Sequence, residues 1–324
     1  MTQTVDTIVI GGSAGSFTSL KALLAELPKD LPAAVMVCQH HAASSGSHAA
    51  HLLAPHSSLP VVVAEDGMDM APGRVHFAAP DTHLMIGEGH LHLRRGAQEN
   101  NFRPAIDPLF RSAAVYRGPR AVGVILSGFM DDGAAGARAI ARTGGKVLVQ
   151  DPDESDFPDM PRAALAAVPD AETITLGYLA SHIASLAGTP CSDGTVIPWE
   201  IGVELKIAAL EGASMANEER LGSLSPYNCP HCNGVLWEIE DGPLVRYRCH
   251  TGHAYTMQAL SAAQEEALDK GLFDSLRAHK GRADLLRRMV GRAAYADDRL
   301  NERARLVEED AERLEAIIRQ RRMG

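Results

Sequence analysis

The sequence predicts an α/β fold built on a doubly wound, mostly parallel sheet with helices on both faces. Apolar strand-like runs alternate with helical patterns through residues 6–186, as expected for parallel strands buried between two layers of helices. Cysteine and histidine then cluster in residues 227–255, and the charged stretch from residue 257 onward contains no proline. These two patterns add a small ribbon-like segment and a C-terminal helical hairpin to the α/β domain.

The elements of the α/β domain are predicted in order from the periodicity of their apolar residues. A β-branched run over residues 7–10 ends in two glycines and predicts the first strand, and a helix with four leucines on one face follows over residues 16–27. Further strands are predicted over residues 33–38, 74–79, 84–86, 90–93, 121–126, 146–150 and 173–175. Helices are predicted over residues 108–116, 136–143, 161–168 and 179–186.

The alternating pattern breaks near Gly188, which predicts a division of the chain into four parts. We expect an α/β domain over residues 1–188, a linker with a short helix over residues 189–226, a ribbon-like segment over residues 227–256 and a long helical hairpin or coiled coil over residues 257–324. In the last part apolar residues recur at helical spacing, and the two helices are expected to join near residues 292–297.

Composition excludes several classes of function. The net charge of -10 would repel nucleic acid unless a local basic patch offset it. The chain has 5 cysteines, an odd number, and three of them fall in one short segment, which argues against a secreted disulfide framework. The first residues lack the basic start of a signal peptide, and no apolar run approaches the roughly 18 residues of a membrane span. We therefore expect a cytoplasmic protein that does not insert into a membrane.

Three loops that follow predicted strands carry residues with catalytic potential: Ser13, His40 and Asp132. The carboxyl ends of parallel strands share one edge of the sheet, so these side chains can meet although they lie far apart in the sequence. A serine hydroxyl needs an adjacent base to act as a nucleophile, imidazole suits that role, and a carboxylate can orient the imidazole. At the start of the next helix, the N–H of Ala14 is a candidate donor to an oxyanion.

Each part of this arrangement also has a simpler explanation. Glycine-rich strand-to-helix loops bind phosphates, which would make the chain a nucleotide-binding module, although residues 11–16 lack the spacing of both common phosphate-binding motifs. His40 could be a structural histidine at the end of a strand. Asp131 and Asp132 could cap the helix that follows them.

Six short motifs resemble, in the same order, the catalytic domain of the chemotaxis protein-glutamate methylesterases. The resemblance covers residues 5–186 and implies that Ser13 is the nucleophile, His40 the general base and Asp132 the orienting carboxylate, with no cofactor in catalysis. It places Ala14, Phe129 and Met160 at the oxyanion and substrate position. The motifs are Ile10-Gly-Gly-Ser-Ala-Gly15, Val37-Cys-Gln-His40, Arg103-Pro-Ala-Ile-Asp107, Gly123-Val-Ile-Leu-Ser-Gly128, Asp132-Gly-Ala-Ala-Gly136 and Met160-Pro-Arg162.

The resemblance implies a serine esterase that acts in signal transduction. Its substrates would be glutamate methyl esters on methylated receptor helices or another signalling protein, with release of methanol, and some members of the family also deamidate glutamine. The sequence departs from the family at Ser127-Gly-Phe-Met130, where Thr-Gly-Met-Gly is usual, and at Ser16, where a second glycine is common.

Regulation is expected to differ from that of the chemotaxis enzymes. Members of the family in chemotaxis typically carry an N-terminal receiver domain, for which the early first strand leaves no room. This absence keeps a second hypothesis open, in which the chain is a non-catalytic signalling adaptor that binds partners through its ribbon and C-terminal helices.

The cysteine and histidine segment has the spacing of a zinc ribbon. Cys229 and Cys232 form one pair, Cys249 and His253 form a second pair after sixteen residues, and a hairpin is predicted between the pairs around residues 241–242. Four protein ligands would close the coordination sphere, which predicts a structural zinc. The choice of His253 rests on a segment that resembles one following some standalone methylesterase-like domains.

Alternatives to this zinc site remain at the level of sequence. His231 and His250 are competing ligands, and the cysteines could instead be reduced and unliganded. His48 and His51 could share a helix face, but exposed or packed histidines are the preferred interpretation. Acidic residues balance the arginines of the ribbon, which argues against nucleic-acid binding and favours a scaffold for protein contacts. The C-terminal helices could pair with each other, with a second copy or with a helical partner.

Overall fold

The computed structural model describes residues 3–40, 48–192, 196–210, 221–290 and 298–321. Within them the chain forms two compact units, Met1–Leu260 and Ser261–Gly324. The centre of the first unit is a seven-stranded sheet in which all strand pairs are parallel, in the order β3-β4-β2-β1-β7-β8-β9. These strands are β1 (Thr7–Gly12), β2 (Ala34–Gln39), β3 (Val61–Val63), β4 (Val75–Phe77), β7 (Ala121–Ile125), β8 (Lys146–Gln150) and β9 (Glu172–Ile174).

Helices cover both faces of this sheet because alternate strand residues point to opposite sides. From β1, Ile8 and Ile10 enter a core with the leucines of the first helix, whereas Val9 enters the opposite core. One face carries α1 (Ser16–Glu26) and α6 (Leu176–Leu186); the other carries α3 (Ile106–Arg117), α4 (Ala134–Arg142) and α5 (Asp159–Ala167). The short helix α2 (His48–Leu53) precedes β3.

The predicted α/β fold is confirmed, with small differences in detail. Two of the predicted strands, β5 (His83–Ile86) and β6 (Leu91–Arg94), form a separate antiparallel pair outside the main sheet. The strand β3 was not predicted, because it has only three residues and they are half-buried. The helices α3 and α4 each begin two residues before the predicted start.

A second sheet follows α7 (Trp199–Ala208), and we call it the ribbon sheet. It is antiparallel, in the order β10-β11-β12-β13. The predicted hairpin is present between β11 and β12, where Gly242 adopts the left-handed backbone (φ 59°) that its turn requires. The strands are β10 (Ser223–Asn228), β11 (Val235–Asp241), β12 (Leu244–Cys249) and β13 (Ala254–Thr256).

Buried ion pairs join the ribbon sheet to α7, to α3 and to the loop that precedes α3. Arg246 of β12 donates to both carboxylate oxygens of Glu204 in α7 at 2.7 and 2.8 Å, and Arg248 bridges Glu204 and Glu99 at 3.0 and 3.1 Å. Arg111 of α3 completes the group through Glu99. Burial opposes ionisation of Glu99, but the two arginines beside it lower its pKa to about 2. The ribbon arginines are thus held inside the protein rather than displayed as a basic patch.

The C-terminal unit is a helical hairpin, as predicted. Its helices are α8 (Met257–Val290) and α9 (Asp298–Arg321). Two ion pairs join these helices, Lys280 with Glu315 and Arg287 with Glu308. The later residue of α8 pairs with the earlier residue of α9, so the helices run antiparallel. The expected junction over residues 292–297, and residues 193–195 and 211–220 of the expected linker, lie outside the described residues. Among the described helices, none combines the length and the apolar composition needed to cross a bilayer.

Candidate active site

Ser13, His40 and Asp132 meet at one edge of the parallel sheet. Ser13 directly follows β1, His40 directly follows β2, and Asp132 lies in the loop between β7 and α4. Since β1 pairs with β2 on one side and with β7 on the other, these loops leave three adjacent strands at their carboxyl ends. The chain order reverses direction across β1, which is where crevices form in doubly wound sheets.

The three side chains form a continuous chain of hydrogen bonds. The Nδ1 atom of His40 lies 3.2 Å from Oγ of Ser13, and its Nε2 atom lies 2.7 Å from Oδ2 of Asp132. The tautomer that suits this arrangement carries its proton on Nε2 and donates it to Asp132. The lone pair on Nδ1 then faces the serine hydroxyl and can accept its proton.

Four N–H donors surround the carboxylate of Asp132, which is 2% exposed. Oδ2 accepts from His40 and from the backbone of Ile106 at 2.7 Å, while Oδ1 accepts from Asn100 Nδ2 at 2.8 Å and from the backbone of Asp107 at 3.2 Å. The two backbone donors are the first residues of α3, so the carboxylate also lies at the positive end of a helix dipole. Its orientation toward His40 is therefore fixed from several directions.

The carboxyl group of Asp132 ionises more readily than that of its neighbour Asp107. Burial opposes ionisation of Asp132, but the hydrogen bond from His40 and the surrounding donors hold its pKa below the ordinary value. Burial, and then the charge of Asp132, raise the pKa of Asp107 to about 7. Negative charge is thus concentrated on the carboxylate that contacts His40, which is the one needed to stabilise an imidazolium.

Close packing shapes the turn that carries Ser13. Gly15 has a left-handed backbone (φ 74°) just before α1, and the N–H of Ser13 donates to the carbonyl of Ser127 at 3.0 Å. At Gly128 a Cβ atom would lie 2.8 Å from Cβ of Ser13, so only glycine fits there. Ala14 lies in the turn, where its carbonyl accepts from Ser127 Oγ at 3.0 Å. Its role as an oxyanion donor stays a prediction.

The two predicted substrate residues, Phe129 and Met160, differ in exposure. Met160 is 1% exposed and packs beside Gly128, next to Ser13. Phe129 is 51% exposed and lies against the ring of Phe157, with ring centroids 4.1 Å apart. The exposed ring of Phe129 therefore packs on the half-buried ring of Phe157 and directly follows Gly128, which lies beside Ser13.

Several residues near the site were not predicted from the sequence. Phe102 stacks on His40 with ring centroids 3.6 Å apart and an angle of 10° between the planes. Asn100 donates to both Asp132 and Asp107. Thr256, at the end of the ribbon sheet, donates its hydroxyl to Asp131 at 2.6 Å. For Asn100 the sequence did contain a signal, namely two consecutive asparagines before the Arg103-Pro-Ala-Ile-Asp107 motif. Asparagine favours the left-handed backbone, and both asparagines adopt it (φ 51° and 70°).

The predicted metal ligands lie together in the ribbon sheet. One ligand atom from each of Cys229, Cys232, Cys249 and His253 lies within 4.8 Å of the others, so the group could hold a metal ion. Cys232 Sγ and Cys249 Sγ are 3.6 Å apart, and Cys249 Sγ is 3.4 Å from Nδ1 of His253. Tetrahedral zinc places neighbouring sulfur and nitrogen ligands about 3.5–3.8 Å apart, given Zn–S of about 2.3 Å. The donor set and its spacing fit zinc.

The competing histidines have other contacts. Nδ1 of His231 lies 2.7 Å from the hydroxyl of Tyr255, and His250 packs on Trp237 with ring centroids 3.9 Å apart. Neither belongs to the four-residue group. Of the other histidine pair considered, His51 is exposed on α2, and the side chain of His48 lies outside the described ones.

The sequence profile of the CheB methylesterase family matches residues 8–183. The chain belongs to this family. The matched region runs from β1 into α6 and contains Ser13, His40 and Asp132. The ribbon sheet and the helical hairpin lie beyond the CheB methylesterase region.

Curated relatives carry names that agree with this membership. A protein-glutamate methylesterase/protein-glutamine glutaminase of Myxococcus xanthus is 38% identical over 179 residues, which are 55% of this chain and 51% of that protein. One from Bordetella avium is 37% identical over 186 residues, 57% of this chain and 54% of that protein. The chain thus spans about half the length of the curated relatives it matches.

A solved structure shares the fold. The catalytic domain of the Thermotoga maritima CheB methylesterase superposes with a TM-score of 0.55 at 30% identity, covering 57% of this chain and 100% of that domain. The seven-stranded parallel sheet therefore has the CheB catalytic fold.

Proposed function

We propose that the chain is a serine hydrolase that demethylates glutamate methyl esters on chemoreceptor-like signalling proteins and releases methanol. The observation that carries this proposal is the hydrogen-bonded series Ser13–His40–Asp132 at the edge of the parallel sheet. Membership of the CheB methylesterase family supports the substrate class. Deamidation of glutamine side chains is proposed as a second reaction of the same site, because an amide and an ester react through similar acyl intermediates.

The proposed reaction uses the three side chains in the roles that their contacts favour. Oγ of Ser13 attacks the ester carbonyl while Nδ1 of His40 accepts its proton. Asp132 keeps the imidazole oriented and stabilises its cationic form. His40 then gives the proton to the leaving methoxide, methanol departs, and water hydrolyses the acyl-enzyme by the reverse roles. We propose the N–H of Ala14 as an oxyanion donor, with Phe129 and Met160 contacting the substrate.

Methanol release from a methylated receptor fragment tests the proposal. Wild-type protein should release methanol, and Ser13→Ala should slow release by roughly 10³-fold or more. Ser181→Ala is the matched control, because Ser181 lies exposed on α6 and its hydroxyl donates to the carbonyl of Tyr178 in the same helix. Equal release by wild type and Ser13→Ala would refute the proposed nucleophile. No release from the wild type would instead favour a non-catalytic adaptor.

We also propose that Cys229, Cys232, Cys249 and His253 bind a structural zinc. A zinc ion with four protein ligands has no open position, so its contribution would be to hold the ribbon sheet together. The ligand spacing and the small size of the sheet support this proposal.

The remaining parts of the chain are assigned as follows. We propose a catalytic domain over residues 1–188, a linker over residues 189–226, a ribbon over residues 227–256 and a helical segment over residues 257–324. The helical hairpin exposes several large apolar side chains, which would suit a second copy or a helical partner. We also propose a cytoplasmic location, because the cysteine ligands proposed for zinc must stay reduced. The exposed apolar residues of the hairpin include Leu268, Leu285, Leu306 and Ile317.

A further inference from the structure

The side chain of Asn100 connects the last strand of the ribbon sheet to Asp132, the proposed orienting carboxylate, and to its neighbour Asp107. Nδ2 of Asn100 donates to Oδ1 of Asp132 at 2.8 Å and to Oδ2 of Asp107 at 2.9 Å. Oδ1 of the same amide accepts the backbone N–H of Thr256 at 2.9 Å. Asn100 is 3% exposed, so water cannot readily replace any of these partners.

The orientation of this amide depends on the ribbon sheet. An amide has one donor end and one acceptor end, and the bond from Thr256 fixes which end points away from the carboxylates. With the acceptor end occupied by Thr256, both N–H groups face Asp132 and Asp107. A rotated amide would instead place its oxygen against the ionised carboxylate of Asp132, which is repulsive in a buried site.

The metal-binding group lies directly before this contact. His253 precedes β13, and its carbonyl accepts the N–H of Cys249 at 3.0 Å. The next residue, Ala254, accepts the N–H of Asn100 at 2.8 Å and donates to the carbonyl of Gln98 at 3.3 Å. The proposed ligands Cys249 and His253 are therefore hydrogen-bonded to each other. The three residues after His253 include Ala254, which bonds Asn100 through its backbone, and Thr256, which bonds the Asn100 side chain.

We propose that Asn100 is a positioning residue for Asp132 and that zinc in the ribbon sheet fixes its position through Ala254 and Thr256. The inference rests on the proposed hydrolase and on the proposed zinc site. On this view the ribbon sheet supports catalysis indirectly. Loss of the metal would let β13 move, the Asn100 amide would lose its fixed orientation, and Asp132 would then orient His40 less well. Displacements of about 1 Å in such a group can cost about 10²-fold in rate.

The neighbouring asparagine provides a matched control. Asn101 also has a left-handed backbone, but its side chain donates to the carbonyl of Ala259 at 3.0 Å. Glycine adopts this backbone without strain, so Asn100→Gly and Asn101→Gly remove a side chain at equal backbone cost. A fluorophosphonate probe, which phosphonylates an activated serine with loss of fluoride, measures the reactivity of Ser13 without a methylated protein.

We expect Asn100→Gly to slow labelling of Ser13 by about 10- to 100-fold, while Asn101→Gly labels like the wild type. The downfield proton resonance of the His40–Asp132 hydrogen bond should weaken or shift in Asn100→Gly and stay unchanged in Asn101→Gly. Equal labelling and equal spectra for the two variants would overturn the positioning role.

Removal of zinc from the full-length protein tests the second step. Chelation, followed with a zinc indicator, should slow labelling of wild type by a factor similar to that of Asn100→Gly, and added Zn²⁺ should restore it. The effects should not add, so chelation of Asn100→Gly should slow labelling little further. Labelling of wild type that is indifferent to zinc, or effects that multiply fully, would overturn the coupling. Labelling without methanol release would contradict only the proposed substrate, whereas no labelling of zinc-loaded wild type would overturn this inference together with the proposed nucleophile.

Discussion

The ring of Phe102 covers one face of the His40 imidazole, with centroids 3.6 Å apart and planes nearly parallel. This contact holds the imidazole between Ser13 and Asp132, and it stabilises the positive charge that His40 would carry after accepting a proton.

Replacement of this ring should therefore reduce the reactivity of Ser13. A cation against an aromatic face contributes about 0.5–2 kcal/mol, so Phe102→Leu should slow fluorophosphonate labelling by about 2- to 30-fold. Phe102→Tyr keeps the aromatic face and should label at nearly the wild-type rate. If the leucine variant reacts as fast as the tyrosine variant, stacking has no role in activation.

The stability of the protein should depend on pH because Asp131 titrates in the folded state. Burial raises the pKa of this carboxyl to about 6, above its ordinary value of 3.8. The folded state then binds a proton that the unfolded state has released, so this residue's contribution to stability is full below pH ~4 and is lost as the pH rises toward and through pH ~6. Asp131→Asn keeps an oxygen for the Thr256 hydroxyl but cannot ionise.

Urea unfolding at several pH values measures this contribution. Relative to Asp131→Asn, wild type should lose up to about 3 kcal/mol of unfolding free energy between pH 4 and pH 7, as a shift of about two pKa units implies. A difference between the two proteins that stays constant over this range would contradict the raised pKa.

The zinc proposal predicts a simple stoichiometry. Purified wild type should contain one zinc per chain, and Cys232→Ser should bind it far more weakly, because a serine hydroxyl is a poor substitute for a thiolate. Cys191→Ser is the control, since Cys191 lies outside the four-residue group. Elemental analysis after dialysis gives the answer. Zinc retained in Cys232→Ser, or lost in both variants, would exclude the assigned ligand set.

Removal of one buried carboxylate should destabilise the attachment of the ribbon sheet. Glu204 is 1% exposed and pairs with Arg246 and Arg248. Glu204→Gln would leave buried guanidinium groups with too little negative charge, at a cost of about 3–5 kcal/mol in unfolding free energy. Hydrogen exchange at β12 should rise in parallel.

A partly exposed ion pair provides the comparison. Glu200 lies on the same helix and pairs with Arg142 at 2.5 Å, with both side chains more than a quarter exposed. Glu200→Gln should cost less than about 1 kcal/mol. If Glu204→Gln and Glu200→Gln lower the unfolding free energy by similar amounts, burial does not explain the contribution of Glu204.

The sequence predicted the parallel sheet and the residues at its edge because both depend on local signals. Apolar strands such as residues 121–126 and a glycine-rich turn after β1 are visible without a structure. By contrast, Glu99 and Glu204 are charged residues, which in a sequence indicate an exposed surface. Their burial depends on arginines from distant elements, including Arg248, which lies 149 residues from Glu99.

Long-range partners explain the other omissions as well. Asn100 meets Thr256 across 156 residues, and β13 is only three residues long, so neither carries a periodic pattern. Phe102 could equally have been a core residue. Its position on His40 follows from the path of the loop before α3, which no local propensity determines.

The order of the strands also bears on how the protein is made. His40 leaves the ribosome 92 residues before Asp132, and Asn100 leaves it 156 residues before Thr256. A nascent chain therefore presents its serine and histidine on adjacent strands long before it has a carboxylate to orient them, and longer still before the ribbon sheet exists. The contacts that orient His40 are therefore absent during much of translation, and a truncated product that ends before Asp132 would lack the carboxylate that orients this imidazole.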